Sequence, residues 1–176
     1  MEPSFYQALG NLYGLIPMGK VRELFEAEPD DCPAAMRYRN LVVHPLVPRG
    51  EITLLEKQQE QHPWYRPTLA QLAWYADPLY YDETPESKVF QRYLRDRFSL
   101  TGTRSRYCLG VFSGYVRRGR GVDDLAEIFD LLEFPTISHD EMRNMLSFSI
   151  PFHNHSRMWA NRGYTPKEIM EMRSRP

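Results

Sequence analysis

The sequence predicts a mainly α-helical fold, a compact multi-helix domain with an N-terminal αα-hairpin and a small β element. Apolar residues recur at helical spacing over most of the chain, helix caps precede several of these segments, and one short stretch has the β-branched character of strands. The 176 residues, 42% hydrophobic and 26% charged, are typical of one globular domain. We therefore expect a single domain over residues 1–176, with seven or eight helices and at most two strands.

The first segment, residues 4–28, is predicted to form the hairpin. Its apolar residues repeat on both sides of a break at 14–17: Phe5, Leu9, Leu12, Val21, Leu24 and Phe25. A DNA-binding helix-turn-helix would place a basic helix on the phosphates, but Lys20 and Arg22 are outnumbered here by Glu23, Glu26 and Glu28. The hairpin is therefore expected to build core.

The small β element is expected at about residues 37–47. Leu41, Val42 and Val43 are extended in character, and Pro45 and Pro48 close the segment. The next stretch, 51–61, is polar and rich in glutamine. It is compatible with a short helix or with a solvated connection, and the pattern leaves both open.

The helical core is expected over residues 68–172. Cap residues mark the starts of its helices: Thr68 with Gln71, Thr84 with Pro85, Asp123, Ser138 with Glu141, and Thr165 with Pro166 and Glu168. Another helix follows Thr101 and ends near Gly119, where a C-terminal glycine belongs. Pro151 is expected to end or kink the helix that contains it.

The charge distribution gives the strongest indication of a partner. Between Arg92 and Arg120 there are eight arginines, no lysine and one acid, so this segment carries +7 and the rest of the chain −8. Guanidinium groups bind phosphates bidentately and stack on bases, and tyrosines are interleaved among them. We expect these residues to contact nucleic acid or another partner: Arg92, Arg95, Arg104, Arg106, Arg117, Arg118 and Arg120.

Structural roles compete with this interpretation. Arg117 and Arg118 can complement the negative end of a helix, whereas Arg92 and Arg95 can be solvated or paired with the acidic part of the chain. Arg97 falls on the apolar side of its predicted helix, so it either ends that helix or has a buried partner.

A protein-binding surface is the alternative, with the molecule acting as an inhibitor or adaptor that serves as a decoy for a nucleic-acid channel. Exposed tyrosine and tryptophan dominate binding hot spots. The residues expected in such an interface are Trp74, Tyr75, Tyr80, Tyr81, Arg157 and Asn161. Structural roles compete here too, since the aromatic turn can be core and Trp159 is expected to pack in the core beside polar residues that hold irregular backbone.

A metal-dependent hydrolase or nuclease is the second alternative. It would use His153, His155 and Glu141, although no cysteine and no nearer acid accompanies the histidines at ligand spacing. Cys108 lies in an apolar stripe and is expected in the core, where burial disfavours a reactive thiolate. We expect no catalytic residue, no metal and no cofactor.

Three segments, 11–16, 67–77 and 154–168, carry a resemblance to known proteins. The last has the pattern N-x-x-R-x-W-x-N-x-G-x-T-P-x-E, from Asn154 to Glu168. The chain resembles a group of uncharacterised, mainly helical proteins of anaerobic Gram-positive bacteria and their mobile elements, some with a C-terminal SEC-C zinc module. This sequence stops at Pro176 without such a module, so the resemblance implies a fold type but no metal site.

The sequence therefore predicts a non-enzymatic intracellular binding or regulatory protein that engages nucleic acid or a ribonucleoprotein, with a phage or other mobile element among its expected sources. The chain has no long apolar run and no secretory leader, so a cytoplasmic location without membrane contact is expected.

Overall fold

The chain is 61% helical in a computed structural model, which confirms the predicted mainly α class. The structure describes residues 3–27, 31–120 and 124–175, except for the side chain of Pro3. Within these ranges the helices are α1 (Pro3–Tyr13), α2 (Met18–Phe25), α3 (Ile52–Gln59), α4 (Leu69–Trp74), α5 (Pro85–Phe98), α6 (Gly102–Arg117), α7 (Leu125–Leu131), α8 (His139–Asn154) and α9 (Pro166–Arg173). The strands are β1 (Leu15–Pro17), β2 (Arg37–Tyr38) and β3 (Leu41–Val43), and two 3-10 turns span Ala34–Met36 and Arg49–Glu51.

The described chain thus contains more elements than the predicted seven or eight helices and two strands. The polar stretch 51–61, left open by its pattern, forms α3. The predicted hairpin break contains β1, because the backbone there pairs with another strand instead of closing a simple turn. Residue 28 at the end of the predicted hairpin and the predicted cap Asp123 lie outside the described residues.

The sheet is antiparallel in the order β1-β3-β2. Ile16 lies opposite Val42, and Tyr38 lies opposite Leu41, so the β element expected around 37–47 is confirmed. Gly14 has φ +70°, a left-handed conformation that glycine adopts without strain, and it turns the chain from α1 into β1.

The chain divides into two compact units. Unit 1 comprises Met1–Pro78 and Met158–Tyr164, and unit 2 comprises Leu79–Arg157 and Thr165–Pro176. The chain thus passes into unit 2 after Pro78 and contributes one later loop to unit 1. That both units fold together as one domain stays a prediction.

In unit 1, α1 contributes much of the buried apolar surface. Tyr6, Leu9 and Leu12 on α1 are fully buried, as is Val42 on β3, and α1 packs against α4 and β3. The ring of Phe5 meets that of Phe25 on α2 edge-on at 5.8 Å. The interpretation of the hairpin as core is confirmed by this burial.

The loop 158–164 is held in unit 1 by its tryptophan. Trp159 is 7% exposed, and its indole N–H donates to the Asn11 carbonyl at 3.0 Å. A Cβ on Gly14 would lie 2.5 Å from this ring, so only glycine permits the contact. The expectation that Trp159 packs in the core is confirmed.

Buried Gln59 ties three segments of unit 1 together. This last residue of α3 is 2% exposed, and its Nε2 lies 2.7 Å from the Tyr13 carbonyl and 2.9 Å from the Trp159 carbonyl. The backbone N–H of Tyr65 donates to the Arg162 carbonyl at 3.1 Å. The loop 158–164 forms no helix or strand, so its buried backbone groups need partners from elsewhere in the chain, and these bonds supply them.

In unit 2, α5 packs against α6 and α8. Their shared core includes the fully buried Phe90, Leu94, Cys108 and Met145. Cys108 is fully buried, which confirms its expected place in the core, and this burial raises the pKa of its thiol. Pro151 lies inside α8 and does not end the helix, which continues to Asn154.

The caps predicted for four helices are present as capping boxes. In each, the cap side chain accepts from the backbone N–H three residues on, and the side chain at that third position accepts from the cap backbone. The pairs are Thr68 with Gln71, Thr84 with Ser87, Ser138 with Glu141, and Thr165 with Glu168.

Among the described helices, none is long and apolar enough to cross a bilayer.

Candidate functional site

The arginines between residues 92 and 120 have different environments and do not form one exposed face. Arg117 is buried: it is 4% exposed, and its Nη2 donates to the Tyr80 carbonyl at 3.2 Å. The Ser113 hydroxyl donates to the same carbonyl at 3.1 Å. Arg117 therefore holds the chain at Tyr80 and is not accessible to a phosphate.

Three further arginines are paired with carboxylates of the chain. Arg97 on α5 contacts Glu141, Arg95 lies 3.2 Å from Asp96, and Arg120 contacts both Asp124 and Glu127. Arg97 was expected either to end its helix or to have a buried partner. The helix continues past it to Phe98, and its partner Glu141 lies at the surface, since both side chains are 38% exposed.

Two others lie against aromatic rings and backbone carbonyls. Arg118 donates to the Gly114 carbonyl at 3.0 Å, and its guanidinium lies 4.5 Å from the ring centroid of Tyr115. Arg104 donates to the Leu132 carbonyl at 3.0 Å and lies 5.0 Å from the ring centroid of Tyr107. Each guanidinium thus has part of its surface engaged within the chain.

Arg92 and Arg106 are exposed and have no ion pair within the described residues, and the same holds for Lys88. Lys88 and Arg106 line one groove of about 320 Å³ between α5, the start of α6 and the segment that precedes α5. We call this the basic groove. Its lining residues are Tyr81, Glu83, Ser87, Lys88, Gln91, Gly102 and Arg106.

The walls of the basic groove are fixed by two buried serines. Ser87 completes the Thr84 capping box, which sets where α5 begins. Ser105 on α6 is fully buried, accepts from Gln91 Nε2 at 3.1 Å and donates to the Gly102 carbonyl at 2.9 Å. The bond between Gln91 and Ser105 joins α5 to α6 beside the groove.

The basic groove carries a net positive charge. Lys88 and Arg106 face one lining carboxylate, that of Glu83. Arg92 lies one turn beyond Lys88 on the same side of α5, about 6 Å further along the helix axis. With Arg92 included, the groove and its rim carry a formal charge of +2. Lys88 and Arg92 are four residues apart and share one face of the helix, but the sequence does not show that they lack ion-pair partners.

Tyr81 adds an aromatic wall. It is half-buried and packs against the core cluster of unit 2. Burial, and then the neighbouring Glu83 carboxylate, raise the pKa of the Tyr81 hydroxyl above its ordinary value. The sequence had assigned Tyr81 to a protein interface, and the structure places it beside the free cations.

The six residues of the predicted protein interface are divided between the units. Trp74, Tyr75 and Asn161 lie in unit 1, whereas Tyr80, Tyr81 and Arg157 lie in unit 2. Tyr75 is buried and Trp74 is 54% exposed. The Tyr80 hydroxyl donates to Asp82 at 3.0 Å.

Arg157 has an internal role in unit 2. Its Nε donates to Asp82 Oδ2 at 3.0 Å and its Nη1 to Glu168 Oε2 at 2.7 Å, with the Arg157 side chain 13% exposed. Since Glu168 also closes the capping box of α9, Arg157 joins the start of α9 to the segment before α5. Arg157 therefore has little surface to offer a partner.

The outer face of α4 is apolar. Leu69 is 61% and Trp74 is 54% exposed, and Ala70 and Ala73 between them are exposed as well. Of the α4 residues Leu69, Leu72 and Ala73, only Leu72 is buried. The capping signal for α4 was correct, whereas the direction of its buried face was not predictable from six residues.

The predicted metal constellation is not assembled. Glu141 lies in the first turn of α8 and His153 lies twelve residues later near its end, about 18 Å away along the axis. The backbone N–H of Ser138 and then Arg97 hold the pKa of the Glu141 carboxyl below its ordinary value. His155 donates from Nδ1 to the Pro151 carbonyl at 2.8 Å. Within the described chain, no group of three or more His, Cys, Asp or Glu residues is placed to hold a metal ion.

The fold and the groove thus define a mainly helical protein with a small cationic groove in unit 2. No family model matches the chain, and no match was found among curated proteins or solved structures. The resemblance to helical proteins of Gram-positive bacteria and their mobile elements stays a prediction.

Proposed function

We propose that the protein is a non-enzymatic binding protein that engages nucleic acid through the basic groove. One observation carries the proposal: Lys88 and Arg106 line the groove, and neither is paired with a carboxylate within the described residues. The site is narrower than the arginine face expected from the sequence, because most of those arginines have partners within the chain.

A phosphate backbone is the anion that this arrangement favours. Successive phosphates of a strand offer charges at regular intervals, and Lys88, Arg92 and Arg106 offer unpaired cations along one side of α5 and across the groove. Gln91 and Tyr81 add an amide and an aromatic ring, which interact with bases. A site for an acidic peptide would not need the ring.

We expect a Lys88→Ala/Arg106→Ala variant to bind a fluorescein-labelled oligonucleotide about tenfold more weakly than wild type, since it loses charge-assisted contacts to two phosphates. Fluorescence anisotropy at low salt measures the difference. Because neither side chain makes an ion pair within the described chain, the variant should unfold at the wild-type temperature.

The matched control is Arg120→Ala/Arg143→Ala. It removes the same charge from two side chains that are 44% and 83% exposed and lie outside the groove lining. It should retain wild-type affinity to within about twofold, as charges outside the contact region contribute only through screened long-range attraction. Equal losses in both double variants would show non-specific attraction, and no binding by wild type would exclude the function.

Recognition of a protein is the second candidate function, favoured by the apolar face of α4. Leu69, Ala70, Ala73 and Trp74 form a patch of the kind that marks interaction sites. A partner bound there would be retained by wild type and lost by a Leu69→Ser/Trp74→Ser variant, whose oligonucleotide affinity should be unchanged. Retention by the variant would exclude this face.

A further inference from the structure

We infer that the basic groove accepts a single-stranded nucleic acid, with one nucleotide seated between α5 and α6 and its base against Tyr81. This inference rests on the proposed function and specifies the ligand of that same site. It goes beyond a general attraction for phosphates, because it assigns different tasks to the charged and the uncharged lining residues.

The shape of the site favours a single strand. Proteins read a DNA duplex by inserting a protruding helix or ribbon into a groove of the nucleic acid. Here the unpaired cations Lys88 and Arg106 line a concavity of the protein, of about 320 Å³. A concave site receives a base that is unstacked from its neighbours, and single strands supply such bases without the cost of breaking a duplex.

Tyr81 provides a positioned ring for that base. Its side chain is packed against the core cluster that includes Phe90 and Phe112, so the ring does not have to be ordered on binding. Stacking of a base on an aromatic side chain is tolerant of sequence and is a common source of affinity for single strands. A phenol is neutral at physiological pH, so it does not repel the neighbouring phosphate.

Gln91 provides a hydrogen-bonding group at the same position. One N–H of its side-chain amide is directed to Ser105 Oγ, which fixes the orientation of the amide. Its carbonyl oxygen and second N–H have no partner within the described residues. An amide held in this way can donate to and accept from the edge of a base, as glutamine does with adenine.

The phosphates flanking the seated nucleotide would lie towards Lys88 and Arg92. These two residues are one helical turn apart, about 6 Å along the axis of α5, so they can serve adjacent phosphates of an extended strand. Arg106 approaches from α6 on the other side of the groove. The cations of the seat therefore come from both helices, and Tyr81 supplies the aromatic ring.

The test compares a labelled single strand with a blunt duplex of the same sequence and length, in DNA and RNA forms, by anisotropy at one salt concentration. We expect wild type to bind the single strand, of either sugar type, at least about tenfold more tightly than the duplex. Duplex affinity equal to or above that of the single strand would overturn the inference and leave the proposed function intact. Failure to bind either form would instead overturn the proposed function.

Two variants at Tyr81 test the stacking role. Tyr81→Leu removes the ring and should weaken single-strand binding about tenfold, the equivalent of one stacked base, with duplex affinity unchanged. Tyr81→Phe keeps the ring and should retain wild-type affinity. Equal binding by the Leu and wild-type proteins would overturn the stacking role. The strand preference of wild type remains decisive if the Leu variant fails to fold.

Discussion

Replacing Trp159 by alanine should lower the free energy of unfolding by about 3 to 5 kcal/mol, the range for deleting a large buried aromatic side chain. Trp159 is 7% exposed, its ring occupies the space that Gly14 leaves open, and its indole N–H satisfies the Asn11 carbonyl. Chemical denaturation followed by circular dichroism measures the change without depending on tryptophan fluorescence.

Trp74→Ala is the matched control for this experiment. Trp74 belongs to the same unit but is 54% exposed, so its removal should cost no more than about 1 kcal/mol. Similar losses in the two variants would contradict the assignment of Trp159 to the core of unit 1. They would also contradict a structural role for the tryptophan of the N-x-x-R-x-W-x-N pattern.

Replacing Arg157 by alanine should lower the free energy of unfolding by about 2 to 4 kcal/mol. The change leaves Asp82 and Glu168 without the guanidinium that bridges them in a mostly buried position. Arg157→Lys should recover only part of the loss, since one ammonium group cannot reproduce the forked contact. Thermal and chemical denaturation of the three proteins measure these differences.

Arg143→Ala is the control for Arg157. Arg143 also contacts a carboxylate, that of Asp140, but the two side chains are 83% and 91% exposed, so its removal should change stability by less than about 0.5 kcal/mol. If Arg157→Ala were as stable as wild type, Arg157 would be available to a partner, as the sequence had suggested.

Much of the fold was predictable because its signals are local. Each capping box involves residues only three positions apart, and Thr84, Ser138 and Thr165 begin helices where their patterns indicate. Gly119 has φ +75°, and the preceding helix ends beside it as expected. Such signals do not depend on which parts of the chain meet in the folded state.

The sequence could not predict which arginines are paired or buried and which remain exposed, because this depends on long-range contacts. Arg97 meets Glu141, forty-four residues away, and Arg117 is buried by the segment at Tyr80, thirty-seven residues before it. Local composition showed a strongly basic segment but contained no information about these partners. Arg92 and Arg106 were among the predicted residues, yet only the tertiary structure distinguishes them from their paired neighbours.

The components of the groove were divided between two interpretations of the sequence. Tyr81 was assigned to a protein interface and Arg106 to a nucleic-acid surface, whereas α5 and α6 bring them to the same groove. Nothing in the sequence indicated a functional role for Gln91, because a glutamine on a polar helix face is ordinarily solvated. Its contact with buried Ser105 requires the packing of α5 on α6.

The most direct measurement is the salt dependence of single-strand affinity for wild type, the Lys88→Ala/Arg106→Ala variant and the Arg120→Ala/Arg143→Ala variant. Each phosphate neutralised contributes about 0.7 to the slope of log affinity against log salt for a single strand. Removing Lys88 and Arg106 should therefore make the slope shallower by about 1.4, with no change in the control. Equal slopes for all three proteins would contradict binding through the basic groove.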